Sequence, residues 1–293
     1  LSAAKWSFGS VVAAWLLAAC TSMMSAEKGG QEEFGPYELV QNWPLPLQDG
    51  ADGVKHEGWT WGSVGAVFAE SPDRIWIAQR GELPLPPGAK PWTPYSMLNP
   101  PRVATGNDDG LNPTCGAEPK RGWERRYHHS IIVVNREGRM VQWWDHLDKL
   151  FEMTCGRGPH KIKINPYDPQ KHVWIIDDQL HMIYKFTYDG KLVQSWGTKG
   201  KRGRDRGVLF DRPTDIDWLP DGTFFISDGY GGTRVAKFDK HGNFVKSWGV
   251  RGTGGTHGNE NPGSLNTPHN IGVDRQNRVY VADRNNRRIQ VFD

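Results

Sequence analysis

The sequence predicts an all-β fold, a β-propeller, and three observations lead there. A unit of about 55 residues recurs along the second half of the chain. A complete copy holds four short apolar runs split by Asp-Gly or similar turns, the pattern of a four-stranded blade. The composition, with 35 Gly, 20 Pro and 14 Trp in 293 residues, favours strands and tight turns, and long apolar patterns at helical spacing are absent.

The first clear copy begins Gly158-Pro159-His160 and continues through Val173-Trp174-Ile175-Ile176-Asp177, Ile183-Tyr184-Lys185-Phe186 and Val193-Gln194-Ser195-Trp196-Gly197. The second begins Arg212-Pro213-Thr214. It continues through Phe224-Phe225-Ile226-Ser227-Asp228, Arg234-Val235-Ala236-Lys237-Phe238 and Val245-Lys246-Ser247-Trp248-Gly249. The third begins Thr267-Pro268-His269, runs through Val279-Tyr280-Val281-Ala282-Asp283 and Arg288-Ile289-Gln290-Val291-Phe292, and lacks a fourth strand. The aligned prolines stand 54 residues apart from Pro159 to Pro213 and 55 from Pro213 to Pro268.

A more divergent copy lies upstream, with strands expected near 65–69, 74–79, 130–135 and 140–144 and a Pro-rich insertion at 81–127. A connection that long is functional or disordered. The expected division is a signal at 1–20, a tether and lead-in at 21–55, and a propeller over 56–293. Its blades are placed at 61–145, 158–197, 212–249 and 267–293. Four blades would leave an open edge, so about two more are expected beyond Asp293, six in all.

The N-terminus reads as an export signal: Lys5, then a short apolar stretch at 11–19, too short to span a membrane. Leu17-Ala18-Ala19-Cys20 resembles a lipobox, which favours lipidation at Cys20; an ordinary signal cut slightly later is the alternative. The protein is therefore expected in the periplasm or cell envelope as a lipoprotein, otherwise secreted, with membrane contact only through the lipid. In that oxidising setting Cys115 and Cys155 could pair, or stay as two thiols. A net charge of +3 by itself implies no nucleic-acid or membrane partner. The basic run at 199–206 includes Asp205 and sits between blades, so an RNA role is disfavoured.

In a propeller the innermost strands line a central channel, and equivalent positions form a ring. His160, Thr214 and His269 are equivalent, each directly after a Pro. In a six-bladed ring the two histidines stand about 120° apart, and a third in blade six would complete a trigonal set with an open fourth position, the usual catalytic zinc arrangement. A repeat can also copy a structural residue, and residues alone leave both readings open. Asp177, Asp228 and Asp283 recur at every second-strand end, which argues for turn-holding rather than catalysis. His128, His129, His172, His181 and His257 have no ring partner and read as surface or loop residues.

The recurring strand-Asp, Arg-Ile/Val-x-x-Phe and Trp-Gly pattern resembles the NHL repeat. From about Trp61 onward the chain also resembles the peptidyl-α-hydroxyglycine α-amidating lyases, especially bacterial relatives. The strings that carry this are Gly158-Pro159-His160, Pro213-Thr214-Asp215, Ser227-Asp228-Gly229-Tyr230, Pro268-His269-Asn270-Ile271 and Val281-Ala282-Asp283-Arg284-Asn285. The resemblance implies that His160 and His269 bind zinc and that Tyr230 lies beside it. Arg80 would contact the reacting centre, and the Ile162 carbonyl would help hold a structural calcium. The third zinc histidine and a calcium aspartate would fall after Asp293. The family's cysteine pairs are not at Cys115 and Cys155. The implied reaction splits the C–N bond of a carbinolamide into an amide and glyoxylate. Two other classes stay open: a non-catalytic propeller serving as an envelope scaffold, and a calcium-dependent lactonase-like hydrolase.

Overall fold

The computed structural model describes residues 40, 42–49, 53–85, 88–89, 126–152, 158–206, 209–251 and 261–293. Cys20, Cys115, Cys155 and His257 lie outside them. Strand β1 (Trp59–Thr60) leads into β2 (Val64–Ser71) and β3 (Arg74–Gln79), and β4 (Leu83–Pro84) folds back on β1. With β5 (Ile131–Val134) and β6 (Met140–Trp143) the first blade is the sheet β2-β3-β5-β6. A 3-10 turn (Asp145–Leu147) and a short helix, α1 (Asp148–Phe151), follow. The second blade runs through β7 (Lys161–Ile164), β8 (Val173–Asp177), β9 (Met182–Phe186) and β10 (Leu192–Trp196). The third runs through β11 (Asp215–Trp218), β12 (Phe224–Asp228), β13 (Arg234–Phe238) and β14 (Phe244–Trp248). A short parallel pair, β15 (Val250–Arg251) and β16 (Ser264–Leu265), precedes the three-stranded fourth blade of β17 (Pro268–Val273), β18 (Val279–Asp283) and β19 (Arg288–Phe292). All pairings within the four blades are antiparallel. The nearly all-β architecture of four propeller blades agrees with the fold class the sequence predicts.

Burial explains the sequence pattern of each blade. A second strand has a neighbouring blade on each face, so β8 and β12 are buried at every position and read as continuous apolar runs. The fourth strand lies at the rim, and in β10 only Trp196 is buried. Side chains from successive blades interdigitate. Trp76, Ala78, Ile131 and Val133 of blade one meet Ile162, Ile175, Tyr184 and Phe186 of blade two. On the other face of blade two, Trp174 and Trp196 stack at 5.0 Å and pack on Trp218, Phe224 and Phe238 of blade three. Each such buried aromatic contributes about 2–3 kcal/mol of transfer free energy. The outward face of blade one is covered by Trp43 and Leu47 from the lead-in and by Trp61 between β1 and β2.

A repeated backbone device sets the mouth of the inner strands. Gly158, Arg212 and Thr267, each just before the aligned Pro, take φ of 85°, 64° and 59°. Left-handed backbone is costly for Arg and above all for β-branched Thr. It turns the chain so that the residue after each Pro enters the inner strand from the same side.

The segment read as an insertion is rooted more firmly than expected. Glu82 bridges to Arg126, and β4 pairs with β1, so its two ends are tied together beside the lead-in. Of the histidines read as surface or loop residues, four do lie in loops or turns, but the surface part of that reading is corrected. His128, His129, His172 and His181 are all buried. A missing ring equivalent says nothing about burial between blades.

Candidate functional site

The inner-strand mouths bring His160, Tyr230 and His269 together. His160 directly precedes β7, and its backbone N–H donates to Ile176 O at 2.8 Å. His269 lies in β17, where the register with β18 shifts between Pro268 and Asn270. It is the extra residue of a β-bulge, a device that re-aims one side chain. Tyr230 sits in the turn after β12, with its N–H on Arg212 O at 3.2 Å. The Tyr230 hydroxyl is 3.2 Å from Nε2 of His160 and 2.9 Å from Nε2 of His269. The two imidazole centroids are 5.2 Å apart.

Hydrogen-bond partners fix the tautomers. Nδ1 of His160 is 3.2 Å from Thr214 O, which can only accept, so Nδ1 carries the hydrogen. Asn270 donates its amide N–H to Asp215 at 3.1 Å, which turns Oδ1 toward Nδ1 of His269 at 2.8 Å. That nitrogen also carries hydrogen. Burial first, with the positive charges of Arg80 and a protonated His269, lowers the pKa of His160 to about 4 against the pull of Asp178. Burial, aided by Arg284 and Lys161, lowers that of His269 against Asn270 and Asp215. In the neutral rings both Nε2 atoms then present lone pairs to one hydroxyl that has a single hydrogen. One lone pair is left without a proton, an arrangement that a cation would satisfy. Two neutral imidazoles with converging Nε2 lone pairs thus fit a zinc ion, with the Tyr230 hydroxyl beside it.

Thr214, the ring equivalent in blade three, serves structure instead. Its hydroxyl lies 3.0 Å from Pro268 O and 3.1 Å from Ser227 O, while its own carbonyl accepts from His160. It therefore couples the mouths of blades two, three and four. Gly229 permits that approach, since a Cβ there would lie 2.2 Å from Pro268 O.

Arg80, directly after β3, is brought to the same region. A Cβ on Gly65 would lie 3.4 Å from Nε of Arg80, 3.3 Å from Cα of His160 and 2.4 Å from Pro159 O. Ile162 is buried in β7 among the side chains of blades one and two. Flanking it, Lys161 and Lys163 pair with Asp215 at 3.4 and 3.0 Å, and Lys163 donates to Ile216 O at 2.7 Å. A shallow groove lined by His269, Asn270, Arg284 and Arg287 opens beside blade four.

Two residues of the site were missed in the sequence. The Arg212 guanidinium stacks over the Tyr230 ring at 4.3 Å and is ion-paired with buried Asp178 at 2.7 Å. Burial alone would raise Asp178, yet His160, Arg212 and Arg80 hold it below the usual carboxylate range. Both residues depart from the repeat: Arg212 stands where Gly158 and Thr267 stand, and Asp178 where Gly229 and Arg284 stand. Such departures were the available signal. The recurrent aspartates hold turns, with Asp177 accepting from the N–H of Gln179 and Leu180, Asp228 from Asp211, and Asp283 from Asn266.

The family model of the NHL repeat matches residues 265–292. NHL repeat-containing protein 3 of Mus musculus is 32% identical over 56% of this chain and 45% of its own length. A probable peptidyl-α-hydroxyglycine α-amidating lyase of Caenorhabditis elegans is 31% identical over 56% of this chain and 43% of its own. The chain thus spans less than half the length of these curated relatives. A solved structural-genomics protein of unknown function from Bacteroides thetaiotaomicron superposes with a TM-score of 0.48 at 16% identity, over 78% of this chain and 47% of that one. The chain is a β-propeller whose residues 265–292 match the NHL repeat, and it is similar over about half its length to proteins named as peptidyl-α-hydroxyglycine α-amidating lyases.

Proposed function

We propose that the chain provides the active-site face of an exported zinc-dependent lyase that splits a peptidyl-α-hydroxyglycine-type carbinolamide into an amide and glyoxylate. The observation that supports it best is the convergence of Nε2 of His160 and Nε2 of His269 on the hydroxyl of Tyr230, at 3.2 and 2.9 Å. His160 and His269 would hold the zinc. When bound, zinc supplies Lewis-acid polarisation of the substrate hydroxyl and lowers its pKa. Tyr230, acting as its tyrosinate, takes the hydroxyl proton as general base. The C–N bond then breaks with its electron pair moving to nitrogen, the C–O bond becomes the aldehyde of glyoxylate, and the proton on Tyr230 passes to the departing amide. Arg212, stacked on the ring, helps hold Tyr230 in place. Arg80 binds the substrate carboxylate through its fork of donors. Calcium at the Ile162 carbonyl is a second, structural metal of the same proposal.

The test is glyoxylate release from an α-hydroxyglycine peptide together with metal analysis. His160→Ala and His269→Ala should each lose the equivalent of zinc bound at this site, and activity with it. Tyr230→Phe should keep zinc and fold while turnover falls about 100- to 10,000-fold, the usual contribution of a positioned general base. Zinc bound by the wild-type protein without any glyoxylate release would reject the lyase and favour a scaffold.

A further inference from the structure

A second cluster of imidazoles lies outside this site, between the lead-in and blade one. His56 comes from the chain just before β1, next to the lead-in, and His128 and His129 from the chain just before β5. All three are buried, and one ring nitrogen from each can be chosen so that all lie within 4.8 Å of one another. Their rings lie 4.3–5.1 Å apart, centre to centre.

The Nδ1 atoms are each held by a buried carboxylate. Glu82 Oε1 lies 2.9 Å from Nδ1 of His56 and 3.2 Å from Nδ1 of His129, and Asp148 Oδ2 lies 3.2 Å from Nδ1 of His128. Nη2 of Arg126 also approaches Nδ1 of His56 at 3.2 Å, but it has Lys55 O as a closer acceptor at 2.7 Å, so the His56 hydrogen goes to Glu82. A carboxylate on the far nitrogen fixes a metal-binding histidine in the tautomer whose other nitrogen bears the lone pair. Nε2 of His56 is buried with no hydrogen-bond partner. Nε2 of His129 is 3.4 Å from Asp145 Oδ1, and Asp145 and Asp148 gather with His128 within the same 4.8 Å limit. Three carboxylates thus surround the cluster and Arg126 is the cation that pairs with Glu82, at 2.7 Å. That leaves negative charge for a divalent ion to balance.

We propose that His56, His128 and His129, with Asp145 as fourth ligand, form a structural zinc site that clamps the lead-in and the root of the 81–127 segment onto blade one. Binding would draw the nitrogens to about 3.4 Å apart, the spacing of ligands about 2.1 Å from a tetrahedral ion. A closed set of four protein ligands gives a structural role, distinct from the open site at His160 and His269.

The test uses the full chain, stripped by chelation and titrated with zinc alone. The double variant His160→Ala/His269→Ala should still bind one equivalent. Adding His56→Gln should weaken that binding at least tenfold while circular dichroism stays that of the parent. In the wild-type chain zinc should slow amide hydrogen exchange at residues 53–60 and 126–130. A folded double variant that takes up no zinc, affinity unchanged by His56→Gln, or exchange unaltered at those residues would each overturn the site. None of these outcomes depends on lyase activity, so either proposal can fail alone.

Discussion

At the scale of single residues, the function rests on who holds each proton. His160 is kept neutral by burial, and its folded pKa of about 4 lies below the usual value for histidine of about 6.5. The sign follows directly. The unfolded chain binds the proton first, so His160 costs stability as pH falls from about 6.5 toward 4, by up to about 3 kcal/mol. Zinc-free wild-type protein should therefore lose stability over that range faster than His160→Asn, and denaturant melts at pH 7 and pH 4.5 would measure the difference. Equal losses in both would contradict a buried, neutral His160. Arg212 carries a separate expectation. Arg212→Gln leaves Asp178 buried without its ion-pair partner and should lower stability by about 3–5 kcal/mol, read as a shift in the urea midpoint. His160 and His269 were legible because a repeat makes equivalent positions visible. Arg212 and Asp178 were not, because an aligned repeat directs attention to what recurs. His128 and His129 were misjudged for the same reason, since burial against the lead-in leaves no mark in the repeat.

At the scale of elements, the site depends on close approaches between inner strands. β2 lies against the mouth of β7, and Gly65 is where backbone and Arg80 crowd together. Gly65→Ala would put a methyl group 2.4 Å from Pro159 O, so the mouth of β7 must shift. A displacement of about 1 Å at a reacting centre can cost about 100-fold in rate. The variant should keep the propeller's circular dichroism and lose lyase turnover by about that factor, while an unaffected rate would show that Arg80 and His160 need no such packing. The bulge at His269 has the same purpose, because a regular strand would face this side chain elsewhere. Strands themselves were readable from apolar runs and Asp-Gly turns. The bulge and the pairing of Glu82 with Arg126 were not, since both depend on partners distant in sequence.

At the scale of the whole molecule, a propeller places equivalent residues of separate blades around one axis. Blades two and four supply the histidines and blade three the tyrosine, so no single repeat contains the site. Large aromatic contacts between blades hold these contributions in register. Repeat spacing made that arrangement foreseeable, whereas the charge network around it emerges only when the blades stack. The most direct test of the zinc site is a crystal structure of the zinc-loaded protein with an anomalous difference map at the zinc edge. A peak bridging Nε2 of His160 and Nε2 of His269, beside the Tyr230 hydroxyl, is the predicted result. No peak there at saturating zinc would contradict it.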